Sequence, residues 1–214
     1  MTLPASSTAP STTFTRTTPP TSSTTVRPNS SEACIPCITN IANTSSVGDP
    51  SEPNENWYGY PTCFTVWGGD EFPNGENPAT GSLFIPAPNA TFSDATCKEQ
   101  VVGPRLSFQA HSAPIDAKFD RQAENLFVSL HGSWNRDVPT GYKVVSVPFG
   151  AGEPVAPADS KDGYDDILWD PQEECDSAKC FRPSGLAWDR QFTHLFVSSD
   201  NNKEGELYIL HKTS

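Results

Sequence analysis

Methionine occurs once in this chain of 214 residues, at Met1, and no apolar run reaches the roughly 18–20 residues that cross a bilayer, so a membrane-spanning helix is excluded. Basic residues are few. Fourteen Lys and Arg face 26 Asp and Glu, a formal charge of −12, and a surface this acidic argues against nucleic acid or an anionic membrane surface as partner. Acidic residues are missing altogether from positions 1–31, where 17 residues are Ser or Thr and five are Pro. Such a segment buries too little apolar surface to offset its ordering entropy, and a disordered linker, open to O-glycosylation, is expected there. Met1-Thr-Leu-Pro leads into Ser and Thr rather than an apolar leader. The natural N-terminus is therefore expected to be missing or wrongly placed. A sustained 3.6-residue apolar period is absent too, since Pro or Gly interrupts almost every long window, so an all-β fold is expected.

What is present is a self-match at an offset of 69 residues. Pro114, Asp120, Arg121, Gln122, Leu126, Phe127, Val128 and Ser129 recur without a gap as Pro183, Asp189, Arg190, Gln191, Leu195, Phe196, Val197 and Ser198, and Phe119 recurs as Trp188. A gapless repeat signals stacked supersecondary units, none of which can bury its apolar face alone. Each copy reads as a strand, a turn and two further strands. These are Ile115–Phe119, Leu126–Leu130 and Tyr142–Phe149 in the first copy, and Gly185–Trp188, Leu195–Ser199 and Leu207–Leu210 in the second. Radially repeated antiparallel sheets describe a β-propeller, whereas a β-sandwich does not explain the repeat. The expected architecture is a partial β-propeller over 57–214, roughly two to two and a half blades of about six. It follows a disordered segment over 1–31 and an irregular one over 32–56.

In this geometry the loop entering the innermost strand and the loop between the second and third strands share one rim of the central channel. The Asp-Arg-Gln turns lie at the other end, as turn chemistry. The rim collects His111, His131 and Arg136 from the first copy and Arg182 and Asp200 from the second. Arg is the fork-shaped donor that suits carboxylates, and neutral His takes or delivers a proton near pH 7, so a ligand with several acidic oxygens is implied. Arg182 could instead pair with Asp200, and Trp134 could stack on a ligand or wedge between blades. His194 and His211 read as structural, and Trp57 and Trp67 as packing. Gly68-Gly69-Asp70-Glu71-Phe72 spells a diguanylate cyclase signature, but five residues in a loop-rich, cysteine-bearing stretch carry no such activity.

Six cysteines, at 34, 37, 63, 97, 175 and 180, show no spacing that suits zinc. Disulfides Cys63–Cys97 and Cys175–Cys180 are the favoured pairs, with Cys34 and Cys37 left over. Acceptor sequons at Asn29, Asn43 and Asn89 agree with a secreted, glycosylated, oxidising context.

Three stretches carry a resemblance: Phe108-Gln109-Ala110-His111-Ser112-Ala113-Pro114; Leu130-His131-Gly132-Ser133-Trp134-Asn135-Arg136 with Pro139-Thr140-Gly141-Tyr142-Lys143-Val144; and Arg182-Pro183-Ser184-Gly185-Leu186-Ala187 leading to Val197-Ser198-Ser199-Asp200. With Tyr58-Gly59-Tyr60-Pro61-Thr62-Cys63, where Trp57 stands in place of a usual Asn, the chain resembles the glucose/sorbosone dehydrogenase family, nearest its fungal pyranose dehydrogenase branch, over about 155 residues. The resemblance implies a C-terminal portion of a propeller enzyme that oxidises a sugar with pyrroloquinoline quinone and calcium. A cytochrome is a possible electron acceptor. Arg136 and Arg182 would clamp cofactor carboxylates, and His111 and His131 would line the pocket. The family's calcium loop and base histidine fall upstream of these motifs, so no metal ligand and no catalytic base is expected among these residues, and the chain by itself is expected to be inactive. Alternatives are a non-catalytic secreted propeller fragment, a carbohydrate-binding module, or a propeller lactonase. The last needs a carboxylate-rich metal site, and Asp200 is the one acid placed on the rim.

Overall fold

The computed structural model describes residues 58–60, 62–72, 75–133, 136, 138–169, 180–201 and 205–211. The expectations for 1–31 and 32–56, for Trp57, Trp134, Asn29 and Asn43, and for the Cys34, Cys37 and Cys175 pairings lie outside the described residues; Cys180 is disulfide-bonded.

Two antiparallel sheets are built on the repeat. The first aligns β3 (Pro114–Phe119), β4 (Asn125–Leu130), β5 (Lys143–Gly150) and β7 (Asp165–Trp169), with the short β6 (Glu153–Pro154) paired to the end of β5. In the second, β8 (Pro183–Trp188), β9 (His194–Ser199) and β10 (Glu206–His211) lie in the order β10-β9-β8. All six strands read from the repeat are present within one or two residues of the expected ends. The fourth strand of the first blade, β7, was not read. Its sequence Asp165-Asp166-Ile167-Leu168-Trp169 shows no clean alternation, and what makes it a strand is pairing to β5, Val144 opposite Leu168.

The repeat extends to individual hydrogen bonds. Asp120 N–H donates to Asn125 O and Asp189 N–H to His194 O, each at 3.0 Å, and the Asp120 and Asp189 carboxylates accept from Glu124 N (2.9 Å) and Thr193 N (2.8 Å). Ala123 and Phe192 both take the left-handed conformation, at φ 55° and 59°. The aspartate of the repeated turn thus closes the hairpin. Its arginine bridges the two copies, with Arg121 donating to Arg190 O at 3.3 Å and lying 5.3 Å from the centre of the Phe192 ring.

One core lies between the blades. Val144, Leu186, Leu195 and Val197 are buried with Phe181, and Phe127, Ile167, Leu168, Trp188, Tyr208 and Leu210 close around them. Burying each such aliphatic side chain contributes about 1.5–3 kcal/mol. The other face of the first blade packs Leu126, Val128, Leu130, Val145 and Val147 against Leu106 and Phe108. The inner strand of the second blade is further tied by side chains of the first: Ser129 Oγ donates to Ser184 O at 2.9 Å, and Asp116 Oδ2 accepts from Leu186 N at 2.9 Å. Both β3 and β8 carry a register shift beside these contacts. A bulge turns backbone groups out of the ladder and toward the neighbouring blade.

Ahead of the blades, β1 (Phe64–Thr65) pairs with β2 (Leu83–Phe84), and α1 (Asp94–Gln100) lies on β2. The helix departs from the reading of no helical stretch. At seven residues it is too short for an apolar period; its signal is local, Ser93 N–H donating to Thr96 Oγ1 at 3.2 Å and Asp94 in the first turn. The expected disulfide Cys63–Cys97 pins it, with Cα atoms 5.7 Å apart. The cyclase-like pentapeptide is structural: Gly69–Glu71 form a single 3-10 turn, Asp70 pairs with Lys161 at 3.0 Å, and Phe72 meets the Phe84 ring edge-on at 5.0 Å.

Candidate functional site

Two loops of the first blade are laced together at one end of the sheets. His131 N–H donates to Ala113 O at 2.8 Å and Gly132 N–H to Ser112 O at 2.9 Å, so the His111 and His131 loops share one rim. The second loop then closes on itself. Ser133 N–H donates to Thr140 O at 2.8 Å, Thr140 N–H to Ser133 Oγ at 3.0 Å, and the buried Tyr142 hydroxyl to Ser133 O. Gly132 stands at φ 94° with its face against the Tyr142 ring, where a Cβ would come within 2.5 Å of ring carbons. Gly141, at φ 86°, passes so close that a Cβ would meet Gly132 Cα at 2.8 Å and Ser112 Cα at 2.9 Å. These contacts explain why His-Gly-Ser and Thr-Gly-Tyr occur together. His111 and Ala113 hold φ of 64° and 51°, left-handed values that cost non-glycine residues about 1–3 kcal/mol each and that the lacing imposes.

The second blade meets this rim. His131 Nδ1 lies 3.1 Å from Pro183 O, and since a carbonyl only accepts, Nδ1 carries the proton. Nε2 faces Asp200 Oδ1 at 3.4 Å. Asp200 is placed by its own backbone, whose N–H donates to Arg182 O at 3.1 Å, while Arg182 N–H donates to Ser199 Oγ at 3.0 Å. His111, His131, Arg182 and Asp200 are thus gathered on one rim from four loops. Arg136 lies half-buried in the His131 loop beyond Ser133.

Asp200 faces the His131 ring and not the Arg182 guanidinium, and the contact is an ion pair only when the ring is protonated. Arg182 Nε is buried with no hydrogen-bond partner among the described residues. A buried guanidinium N–H left unsatisfied costs roughly 1–3 kcal/mol or more, so the position is suited to an anionic acceptor delivered by a ligand. Sequence reasoning placed Asp200 on the rim but missed its pairing with His131, because the partner on the other ring nitrogen is a backbone carbonyl with no signature in sequence. Nearby, Tyr164 hydroxyl accepts from Gln109 N at 3.2 Å, and burial pushes the phenol up to about 12. At the blade junction, burial works against ionisation of Asp116, but the Lys118 ammonium at 2.5 Å and the Leu186 and Ala117 N–H groups hold its carboxyl below the ordinary value. A shallow groove of about 410 Å³ between β2 and α1, lined by Ser82, Asp94 and Lys98 among others, is separate from the rim.

A pyrroloquinoline quinone-dependent pyranose dehydrogenase of Coprinopsis cinerea is 40% identical over 180 residues, 79% of this chain and 24% of the relative. A pyrroloquinoline quinone-dependent sugar dehydrogenase of Hypocrea jecorina is 37% identical over 160 residues, 73% of this chain and 34% of the relative. This chain therefore spans about 24–34% of the length of the curated relatives it matches. Among solved structures, the holo form of the pyranose dehydrogenase PQQ domain from Coprinopsis cinerea superposes with a TM-score of 0.66 at 40% identity, covering 77% of this chain and 42% of that one. The calcium structure of the Trichoderma reesei Carbohydrate-Active Enzymes Family AA12 protein gives 0.65 at 38% identity, covering 72% and 38%. At these identities the all-β, propeller-type fold is shared. Residues 38–213 match the TrAA12-like family, and the chain belongs to it.

Proposed function

We propose that this chain is part of a secreted, quinone-dependent sugar dehydrogenase, contributing two blades and one rim of a closed propeller. The observation that carries the reading is the buried, partnerless Nε of Arg182 beside the His131–Asp200 pair. Pyrroloquinoline quinone, with its carboxylates, fits that donor set. Arg182 and Arg136 would hold carboxylates, and His111 and His131 would line the cofactor or substrate side. When bound, the quinone supplies the two-electron acceptor for oxidation of a sugar hydroxyl or aldehyde carbon. The residues present do the holding: the Pro183 carbonyl fixes the His131 tautomer, and the laced loops keep the ring in place. Calcium, and a cytochrome as electron acceptor, belong to the whole protein and would engage residues beyond those described.

The secreted assignment is supported by the Cys63–Cys97 disulfide and by Asn89. The Asn89 Oδ1 accepts from Thr91 N, Thr91 Oγ1 and Phe92 N, each at 2.9 Å, in an exposed stretch, a position open to a glycan.

The test is dye-linked oxidation of a panel of aldoses and ketoses with added quinone and calcium, run on this chain and on one extended with the upstream reading frame. Turnover by the extended protein alone supports the reading. An extended protein that binds sugar but neither quinone nor dye-reducing activity points to a carbohydrate-binding module.

A further inference from the structure

At the end of the second blade remote from the rim, two histidines stand side by side on neighbouring strands. His194 opens β9 and His211 closes β10, and the two are direct partners in the antiparallel register. Their ring centres are 4.9 Å apart with planes inclined at 55°. His211 is exposed, and His194 is open to solvent on one side. Two imidazoles bound to one ion through bonds of about 2.0–2.1 Å, at angles between square-planar and tetrahedral, bring their ring centres to about 4.5–5.2 Å. The observed spacing falls within that window.

The tautomer of His194 is already set for such a role. Asp189 Oδ2 accepts from His194 Nδ1 at 2.8 Å and from Thr193 Oγ1 at 2.7 Å, while Asp189 Oδ1 accepts from Thr193 N at 2.8 Å. With Nδ1–H directed at a carboxylate, Nε2 is the nitrogen whose lone pair the neutral ring offers, and a carboxylate behind a histidine is the common support of a metal-bound imidazole.

Turn chemistry accounts for part of this and not for the rest. In the first blade the equivalent of His194 is Asn125, whose Nδ2 donates to Asp120 Oδ2 at 3.0 Å in the same way, so the Asp-to-side-chain bond belongs to the repeated hairpin. Across the strand, however, Asn125 faces Pro148, which has nothing to offer an ion, whereas His194 faces His211. The second imidazole is an addition to the turn.

We propose that His194 and His211 form a two-histidine site for a divalent transition-metal ion, with Asp189 as the positioning carboxylate behind His194. No group of three or more His, Cys, Asp or Glu side chains is assembled as a metal cluster among the described residues, so water completes the coordination. Imidazole nitrogens suit copper, nickel and zinc rather than calcium, and Cu²⁺ is the tightest binder by the usual order of divalent ions. An ion held there ties the end of β10 to β9. The site is independent of the quinone reading, since it lies at the opposite end of the blade and needs no cofactor.

The experiment is titration of the 214-residue chain at pH 7.5 with CuSO₄, NiSO₄ and ZnSO₄, followed by calorimetry and by electron paramagnetic resonance of the copper. Cysteines and the chain's amino terminus can take copper elsewhere, so the readout is the difference between the chain and its variants. The expected result is a copper site with two imidazole nitrogens in its spectrum, weakened at least tenfold in His211→Gln and in His194→Asn, and about 10–100-fold in Asp189→Asn. Ni²⁺ should also broaden the ring signals of both histidines in the unmodified chain, a measurement that needs no variant. Equal copper affinity in His211→Gln and the unmodified chain, or no copper binding tighter than ~100 μM together with unbroadened histidine signals, would overturn the site.

Discussion

His131 of the first blade reaches the carbonyl of Pro183 in the second, with Nδ1 3.1 Å from the oxygen. The same ring turns its other nitrogen toward Asp200, so one side chain joins the blade junction to the rim. Removing it therefore has two consequences. His131→Ala is expected to lower stability by about 1–3 kcal/mol, the cost of leaving a buried acceptor unsatisfied, and to loosen the Asp200 side chain. Urea unfolding followed by tryptophan fluorescence measures the first, and no change in the transition midpoint would mean that water replaces the imidazole at Pro183 without loss.

Arg182 should separate stability from binding. Its Nε serves no partner among the described residues, so Arg182→Met is expected to leave the thermal midpoint unchanged or raised, while quinone affinity of the whole protein falls by about 1.5–3 kcal/mol, the range for a hydrogen bond to a charged group. A variant that loses stability and keeps quinone affinity would show that the guanidinium has a structural task instead.

Asp116 predicts the acid limb of the stability curve. Its carboxyl titrates below 3.8 in the folded chain, so the ionised group adds stability that is complete above that ordinary value and is lost as pH falls through the depressed one. The stability gap between the unmodified chain and Asp116→Asn should be constant near neutral pH and shrink through the acid range below 3.8. Denaturant titrations at stepped pH measure it; a gap that is already closed at pH 6 would assign the effect to another group.

Cys63 and Cys97 close a loop with a sequence separation of 34. On loop-entropy grounds the pair is worth about 4 kcal/mol, and a double Cys63→Ala, Cys97→Ala variant should lose α1 and its packing on Ile85 and Val101 before the blades unfold. Hydrogen exchange resolved by segment would show this as early protection loss in 83–101 with 114–150 unchanged, and uniform loss across both regions would mean that the two parts unfold as one.

Much of the fold was open to reading because the 69-residue repeat writes the same strand–turn–strand pattern twice. Aspartate at the turn, alternating Leu and Val on the second strand and an aromatic at the end of the first each have a local physical reason, and local reasons survive in sequence. The rim could be assembled from that pattern as well, since topology alone puts the ends of certain strands together. Besides the two-residue strands β1, β2 and β6, two longer elements did not show. The strand β7 is made by its neighbour β5 rather than by its own residues, and the seven-residue helix α1 is too short to display a period.

Sequence by itself determined the repeat, the all-β class, and which loops carry His111, His131, Arg136 and Arg182; it favoured the Cys63–Cys97 pair, which the structure then fixed. Tertiary structure alone decided that Asp200 pairs with His131 and not with Arg182, that Pro183 sets the imidazole tautomer, and that His194 and His211 meet across two strands. The reason is physical. Strand formation and turn closure depend on neighbours a few residues away, whereas these pairings depend on backbone carbonyls and on strand register, which acquire positions only when the two blades pack over Val144, Leu195 and Val197.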